Sequence, residues 1–201
     1  MREETDVLVV GGGPAGATAA ALLARQDHQV RVLERERFPR YHIGESLLPS
    51  LLPVLDVLGA REAVEAHGFV RKTGAFYGWG GQEWSLGFDE PDRPAAYSFQ
   101  VIRSQFDQLL LEHARTQGAD VREEARAGRV TFEDGSGNGQ GRRAVEATWT
   151  GQNGTEGAHP LRLANAGPVA DWSGYHRDRI DQAGDLGIMG EPDCWYRAVR
   201  P

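Results

Sequence analysis

The sequence predicts a three-layer α/β domain built on a parallel sheet, and three observations near its start lead to that prediction. Residues 6–10 (DVLVV) form a continuous apolar run, the pattern of a strand buried on both faces. A glycine-rich turn (GGGPAG, 11–16) follows, and then a stretch rich in alanine and leucine (17–26), the best helix formers. A second strand pattern (VRVL, 30–33) ends at Glu34. Strand, glycine turn, helix, strand and acid, in this order, are typical of a Rossmann-like dinucleotide-binding unit.

The glycine turn predicts a site for a diphosphate. Gly11 allows the tight turn out of the strand, Gly13 lets the backbone approach a pyrophosphate, and Gly16 lets the helix pack closely on the strand. The helix N-terminus at Pro14 and Ala15 presents unpaired N–H groups and a partial positive charge, which suit a diphosphate.

The acid at the end of the second strand predicts the ribose contact. Glu34 lies 18 residues after Gly16, where a carboxylate can accept hydrogen bonds from ribose hydroxyls. The pattern alone does not separate NAD from FAD. Arg35 either faces the adenosine or is a surface charge.

The composition argues against several classes of partner. The 201-residue chain has a formal net charge of −7 and a pI near 5.4, unlike a nucleic-acid surface. The single cysteine, Cys194, cannot form an intrachain disulfide, which fits a reducing compartment, and no histidine pattern marks it as a nucleophile. No segment reaches the roughly 18 apolar residues of a membrane-spanning helix, and the acidic N-terminus has no secretory pattern. We expect a cytoplasmic protein without a membrane partner or a metal.

The loop after the second strand leads into two predicted helices. Its sequence is FPRYHIGESLLPS (38–50). Ser46 is expected to N-cap a helix over residues 47–58, with Pro49 in its first turn, where a missing N–H does no harm. A short helix is expected at 60–66.

A hairpin and a long helix are predicted next. Residues 75–79 and 83–88 have strand patterns on either side of Gly80-Gly81, a hairpin turn signal. A capping-box-like start (SQFD, 104–107) predicts a helix that stops at Gly118, and residues 119–122 read as a strand.

Composition divides the chain into two predicted regions, a folded domain over 1–134 and a glycine-rich, poorly packed and irregular segment over 135–201. Residues 127–201 hold 13 of the 26 glycines and few large apolar residues. Within the segment, residues 135–141 predict a flexible loop and residues 145–150 a strand.

Four stretches, in this order, resemble the N-terminal part of FAD-dependent halogenases of the phenol and pyrrole type. They are GGGPAG (11–16), LERERFPRYHIGESLLPS (33–50), FVRKTGAFYGWG (69–80) and VIRSQFDQLLLEHARTQGADV (101–121). These enzymes are flavin monooxygenases with the glutathione-reductase-like FAD fold. The resemblance runs from about residue 5 to residue 134, and its GESLLP element favours halogenases over plain hydroxylases. It implies that the cofactor is FAD and that residues 1–134 are the N-terminal part of the FAD-binding domain, with the hairpin as an insertion.

The resemblance also implies roles for single residues. Lys72 matches a catalytic lysine that holds hypohalous acid by a hydrogen bond or as a haloamine, with the adjacent Arg71 as a second candidate. Arg103 matches an arginine that contacts the flavin nucleotide. The residues implied to lie along the flavin are Arg40, Gly44, Glu45, Ser46 and Leu47.

The reaction implied by the resemblance halogenates an electron-rich aromatic substrate, free or bound to a carrier. FADH₂ comes from a separate flavin reductase and reacts with O₂ to a flavin hydroperoxide, which halide attacks to give hypohalous acid. No NAD site and no metal are implied. Two alternatives stay open: an aromatic hydroxylase that uses the same hydroperoxide, and a non-catalytic FAD-binding fragment.

Two motifs of the halogenases are absent from the sequence, the second flavin motif (G-D-A) and the W-x-W-x-I-P segment. Only partial echoes occur, at 184–186 (GDL) and 171–174 (DWSG). Since full-length halogenases are more than twice as long, we expect a truncated or decayed member with weakened FAD binding and doubtful turnover.

Overall fold

The computed structural model describes residues 3–89, 96–133, 143–151, 161–163 and 195–199. The chain divides into two compact units, residues 1–40 with 110–175 and residues 41–109 with 176–201. The elements up to residue 87 are β1 (Glu3–Thr5), β2 (Val7–Val10), α1 (Pro14–Ala24), β3 (Val30–Leu33), α2 (Leu51–Leu58), α3 (Arg61–Ala66), β4 (Val70–Lys72), β5 (Gly74–Trp79) and β6 (Gln82–Gly87). The later elements are β7 (Ser98–Gln100), α4 (Arg103–Thr116), β8 (Asp120–Arg122), β9 (Ala125–Glu133), β10 (Arg143–Gly151), β11 (Leu161–Leu163) and β12 (Trp195–Val199).

The first unit contains the predicted parallel sheet. Its strand order is β2-β3-β8, and Val7 pairs with Val30 while Arg31 pairs with Asp120. Strand β2, predicted from residue 6, begins at Val7, and helix α1 begins at Pro14, three residues before the alanine-rich run. Proline suits a first helical turn because its missing N–H would have no intrahelical partner there.

Helix and strands form three layers in this unit. Ala17, Ala20 and Ala21 of α1 have no exposed surface, and α1 packs on β2 and β3. On the other side, Leu8 and Leu33 of the parallel sheet pack against Ala125 and Ala147 of the sheet β1-β11-β10-β9. The α/β class predicted from the sequence is therefore confirmed. The strand predicted at 145–150 is confirmed as β10, which pairs with β9.

The second unit holds the hairpin and two short helices. Strands β5 and β6 pair antiparallel around Gly80 and Gly81, both with positive φ, and β12 pairs with the other edge of β5. Such φ angles match the twist of a tight hairpin turn, which glycine adopts without steric cost. The predicted hairpin is confirmed. Strand β4 pairs antiparallel with β7, which lay outside the sequence prediction.

The short helix expected at 60–66 is confirmed as α3, whereas two other predicted helix starts are wrong. Helix α2 begins at Leu51, not near Ser46, because residues 45–47 are extended and pair with β7 through Leu47 N–H to Phe99 O (3.0 Å) and Val101 N–H to Glu45 O (2.8 Å). After a cap at Ser46, residue 47 would have to be helical, and its extended pairing with Phe99 excludes that.

The capping box expected at Ser104 also fails. Helix α4 already begins at Arg103, and the Ile102 carbonyl accepts from Gln105 and Phe106, so Ser104 lies inside the first turn. The Asp107 carboxylate accepts from the Arg103 guanidinium, a charge-assisted pair that is stronger than a neutral cap. At the other end the prediction is right: Gly118, with φ of 103°, follows the helix, and Ala119 N–H donates back to the Ala114 carbonyl.

Candidate functional site

The glycine turn of the first unit has the close packing that its spacing predicts. Gly11 has φ of +96° and donates its N–H to the Leu33 carbonyl at 2.9 Å. A Cβ on Gly16 would lie 2.0 Å from the Gly11 carbonyl oxygen, so only glycine fits where helix α1 leaves the turn. The turn thus brings the N-terminus of α1 against the end of β2.

Two sources of positive charge lie at this helix N-terminus, the backbone N–H groups and an arginine. Gly13 precedes α1 with an extended backbone and no side-chain cap, so the first N–H groups point outward. Arg40 adds a formal charge, since its Nη2 lies 3.4 Å from the position that a Cβ on Gly13 would occupy. The Arg40 side chain is 12% exposed, and its guanidinium lies over the Phe38 ring at 4.6 Å and 3.8 Å from the Glu36 carboxylate. Turn, helix and arginine together suit an anion such as a diphosphate.

Glu34 fixes the opposite side of the turn. The side chain is buried, its Oε2 accepts from Gly12 N–H at 2.6 Å, and its Oε1 accepts from Glu36 N–H at 2.9 Å. A carboxylate has about four acceptor positions, so these two bonds leave capacity for ribose hydroxyls.

An open pocket of about 330 Å³ lies beside the end of β3. Its lining includes Arg35, which is mostly exposed, and Arg126 from β9. Its other lining residues are Glu36, Glu124, Thr150 and Gly151. Of these lining residues, the sequence pattern predicted only Arg35 as a cofactor contact. The residues from β9 and β10 reach the pocket through the pairing of these two strands, which lie far from Arg35 in the sequence.

In the second unit, Arg103 holds the loop that carries Gly44. Its Nη1 donates to the carbonyls of Ile43 (2.8 Å) and Gly44 (3.4 Å), and its Nε and Nη2 donate to the fully buried Asp107. Gly44 has φ of +91°, and a Cβ there would approach Arg103 Nη1 to 3.0 Å. The structure therefore gives Arg103 a task the sequence did not predict, that of fixing the loop backbone.

Lys72 is the only lysine in the chain, beside 21 arginines. Its side chain is 1% exposed, although lysine is among the residues least often buried. Its Nζ donates to Ser46 Oγ at 2.5 Å and lies 5.4 Å from the centre of the Phe88 ring. That a single lysine stood among so many arginines was visible in the sequence, whereas its burial was not.

Arg71, the second candidate, is held elsewhere. Its side chain is 53% exposed, lies over the Tyr97 ring at 4.5 Å and is 3.6 Å from the Glu65 carboxylate. Neighbouring residues of a strand point to opposite faces, which separates Arg71 from Lys72.

The hydrogen bond from the Tyr97 hydroxyl is the main cause that lowers the pKa of Glu65, and Arg61 and Arg71 lower it further. The same hydroxyl accepts from Arg61 and is the main cause that raises the pKa of that arginine.

The weak echoes of the second flavin motif at 171–174 and 184–186, the loop at 135–141, and Cys194 lie outside the described residues. Within the described part of the chain, no group of three or more His, Cys, Asp or Glu side chains could hold a metal ion. Its helices include none with the length and apolarity needed to cross a bilayer.

Comparison with known proteins adds independent findings. Residues 6–92 match the tryptophan halogenase family. The chain is 50% identical over 159 residues to a tryptophan 2-halogenase of Chondromyces crocatus, an alignment that covers 77% of this chain and 29% of the relative. It is 39% identical over 191 residues to a flavin-dependent halogenase of Metacordyceps chlamydosporia, covering 91% of this chain and 33% of the relative. The chain thus spans about a third of the length of these relatives.

A solved structure gives the same result for the fold. The myxobacterial chondrochloren halogenase, an FAD-dependent halogenase, superposes with a TM-score of 0.68 at 37% identity, over 80% of this chain and 36% of that protein. The fold is therefore the Rossmann-like FAD-binding fold expected from the sequence.

Proposed function

We propose that the chain, which matches the tryptophan halogenase family over residues 6–92, binds FAD and serves the halogenation of an electron-rich aromatic substrate. Its partners in this proposal are halide, O₂, an aromatic substrate that is free or carrier-bound, and a separate reductase that supplies FADH₂. Reduced FAD supplies, with O₂ and halide, the hypohalous acid that halogenates the ring.

The buried lysine is the observation that carries the halogenase assignment. Apart from six histidines, arginine provides every other basic side chain of this sequence, and arginine stays protonated in proteins. An amine can lose its proton and react with an electrophile, which a guanidinium does not do. One lysine kept in the interior, where a charge is costly, therefore fits amine chemistry better than a surface charge. We assign Lys72 the role of holding hypohalous acid.

The residues around the glycine turn fit the diphosphate of FAD. The turn leaves backbone N–H groups outward, and the Arg40 guanidinium adjoins Gly13, so two sources of positive potential coincide. The turn residues assigned to the diphosphate are Gly11, Gly13, Pro14, Ala15 and Gly16. Glu34 is assigned to the ribose and Arg35, at the rim of the open pocket, to the adenosine.

The loop of the second unit is assigned to the isoalloxazine end of FAD. Its residues in this role are Gly44, Glu45, Ser46 and Leu47. Hydrogen bonds fix the backbone of this loop, which supports the assignment. Leu47 donates to Phe99 of β7, Glu45 accepts from Val101, and the Arg103 guanidinium donates to the Gly44 carbonyl. A wall with a fixed backbone can orient a planar ring without losing conformational entropy on binding. Arg103 acts in this proposal by holding the loop as well as by contacting the nucleotide.

Two measurements test the proposal. Titration of FAD, oxidised and reduced, should show binding by quenching of flavin fluorescence and by calorimetry. Incubation with a flavin reductase, NADH, O₂ and chloride or bromide should then halogenate phenols or pyrroles. Lys72→Met should abolish the halogenated product, while Arg71→Met, a change at the exposed neighbour, should leave it within about twofold.

Three other results of these measurements would change the assignment. Hydroxylated product would make the chain an aromatic monooxygenase, and FAD binding without product would make it a binding module. Failure to bind FAD in a folded preparation would overturn the proposal.

A further inference from the structure

A buried ion pair at the start of helix α4 is linked to the loop that carries Gly44. Arg103 donates from Nε to Asp107 Oδ1 at 2.7 Å and from Nη2 to Asp107 Oδ2 at 3.1 Å, so one planar guanidinium binds both carboxylate oxygens. Its third nitrogen, Nη1, donates to the Ile43 carbonyl at 2.8 Å and lies 3.4 Å from the Gly44 carbonyl. We call Asp107, Arg103 and these two carbonyls the loop clamp.

Asp107 is buried far more deeply than a surface ion pair requires. Its side chain is 0% exposed and that of Arg103 is 13% exposed. A buried ion pair adds little to stability, because the loss of hydration offsets most of the attraction between the charges. What the bidentate pair does provide is a fixed orientation of the guanidinium. The burial of Asp107 is therefore better explained by a need to orient Arg103 than by stability.

The guanidinium fits closely against the loop backbone. Gly44 has φ of +91°, and a Cβ there would lie 3.0 Å from Arg103 Nη1. On its other side the loop is bonded around β7, where Leu47 N–H donates to the Phe99 carbonyl. Residues 43–47 are thus held by α4 at one end and by β7 at the other.

The charge of Arg103 is balanced inside the protein. The Asp107 carboxylate lies 2.7 Å from its Nε, and two of its three nitrogens donate to that carboxylate. A neutralised guanidinium adds little positive potential for the phosphates of a ligand. Its main effect is therefore expected on the shape of the loop.

We propose that Asp107 is a positioning residue for FAD, which acts through Arg103 to hold residues 43–47 in the shape that receives the isoalloxazine ring. This rests on the proposed function, which assigns that loop to the ring. A loop that is ordered before binding loses less conformational entropy when the ring docks. The loop clamp should accordingly matter for the flavin end of FAD and not for its adenosine diphosphate end.

Two ligands separate these ends. ADP has the adenosine and both phosphates of that half but no isoalloxazine ring. Asp107→Asn keeps the size of the side chain and removes its charge and one acceptor oxygen. It should raise the Kd for FAD about tenfold and leave the Kd for ADP within about twofold. The absorption bands of bound FAD should also shift toward those of the free coenzyme. A general loss of structure would weaken both ligands equally.

Arg103→Lys tests geometry against charge. Lysine keeps the positive charge but lacks the planar fork that binds a carboxylate and a carbonyl at once, so FAD alone should again bind about tenfold more weakly. Since Asp107 acts through Arg103, adding Asp107→Asn to Arg103→Lys should weaken FAD binding by no more than about a further twofold.

The matched control is Glu65→Gln on helix α3. Arg61 and Glu65 form an ion pair with the same four-residue spacing in the same unit, but both side chains are 32% exposed. This variant should leave the Kd values for FAD and ADP unchanged.

Hydrogen exchange of the chain without cofactor tests the loop clamp by itself. The Leu47 amide, bonded to the Phe99 carbonyl, should exchange about fivefold faster in Asp107→Asn and in Arg103→Lys than in the wild type. Amides of β2 in the first unit, and Leu47 in Glu65→Gln, should keep their wild-type rates.

The proposal is overturned if Asp107→Asn leaves FAD affinity unchanged, or weakens FAD and ADP equally. An unchanged exchange rate at Leu47 in a variant that is folded by circular dichroism would overturn it as well. If Asp107→Asn does not fold, Arg103→Lys decides by the same measurements. A wild-type chain that binds no FAD would instead contradict the proposed function, and the exchange at Leu47 would still show whether Asp107 and Arg103 hold the loop.

Discussion

Alanine substitutions at two glycines of the turn should separate stability from cofactor binding. Gly16→Ala places a Cβ 2.0 Å from the Gly11 carbonyl oxygen and 3.2 Å from Val9 Cγ1. Non-bonded carbon and oxygen atoms rarely come closer than about 3 Å, so helix α1 has to move by about 1 Å, and the atom in the way is backbone that cannot rotate aside. Overpacking of this kind costs about 1–3 kcal/mol, and the better helix propensity of alanine returns up to about 1 kcal/mol.

We therefore expect Gly16→Ala to lower the free energy of unfolding by about 2 kcal/mol, or the Tm by about 4–8 °C for a chain of this size. Gly13→Ala meets only Arg40 Nη2, the flexible end of a side chain, at 3.4 Å. It should change stability by less than about 0.5 kcal/mol. Its Cβ, however, projects toward the proposed diphosphate and should raise the Kd for FAD about tenfold, or about 1.4 kcal/mol.

Urea unfolding followed by tryptophan fluorescence, together with FAD titration, measures both effects. If Gly16→Ala unfolds at the wild-type urea concentration, the close contact between residue 16 and the Gly11 carbonyl does not exist. If Gly13→Ala binds FAD with unchanged affinity, the phosphates lie elsewhere.

Three further predictions concern charge. Arg40→Met should weaken FAD binding about tenfold or more and flatten its dependence on salt, with little change in Tm, as titrations at two ionic strengths would reveal. Lys72→Met replaces a buried amine by an apolar chain of similar length and should leave stability unchanged or raise it by up to about 2 kcal/mol, so a large loss in urea unfolding would contradict the burial described. Tyr97→Phe should lower the free energy of unfolding by less than about 1 kcal/mol at pH 7. The hydrogen bond that is lost lowers the pKa of Glu65 and so stabilises the fold above the carboxyl's unfolded pKa of about 4.3. That contribution disappears as the pH falls through the lower pKa of the folded state. The unfolding curves of wild type and variant should therefore differ at pH 7 and converge at low pH, and a gap that stays constant with pH would rule out this origin.

Local patterns in the sequence were sufficient to predict the nucleotide-binding unit. The glycine spacing, the alanine-rich helix, Glu34 at a strand end and Gly118 after a helix each involve contacts between residues near in sequence, or a backbone geometry that few residue types allow. Such features predict their own structure because steric limits on φ and ψ act on each residue directly. The hairpin at Gly80-Gly81 was predictable for the same reason.

The helix starts show where such patterns fail. Ser46 and Ser104 both have residue types favoured at N-caps, yet β7 draws residues 45–47 into an extended pairing and Arg103 extends its helix by one residue. A cap contributes only about 1 kcal/mol, so two backbone hydrogen bonds to a strand more than fifty residues away in sequence override it.

From sequence alone, then, this protein was determined to be a Rossmann-like α/β chain with a diphosphate-binding turn and one candidate lysine. The tertiary structure decided that this lysine is buried and which side chains surround it. It brought Lys72, Ser46, Ser98 and Gln100 to one buried face, from three segments separated by at least 25 residues of sequence. The physical reason is that burial and side-chain partners depend on which strands pair, and strand pairing is a property of the folded chain that no local pattern contains.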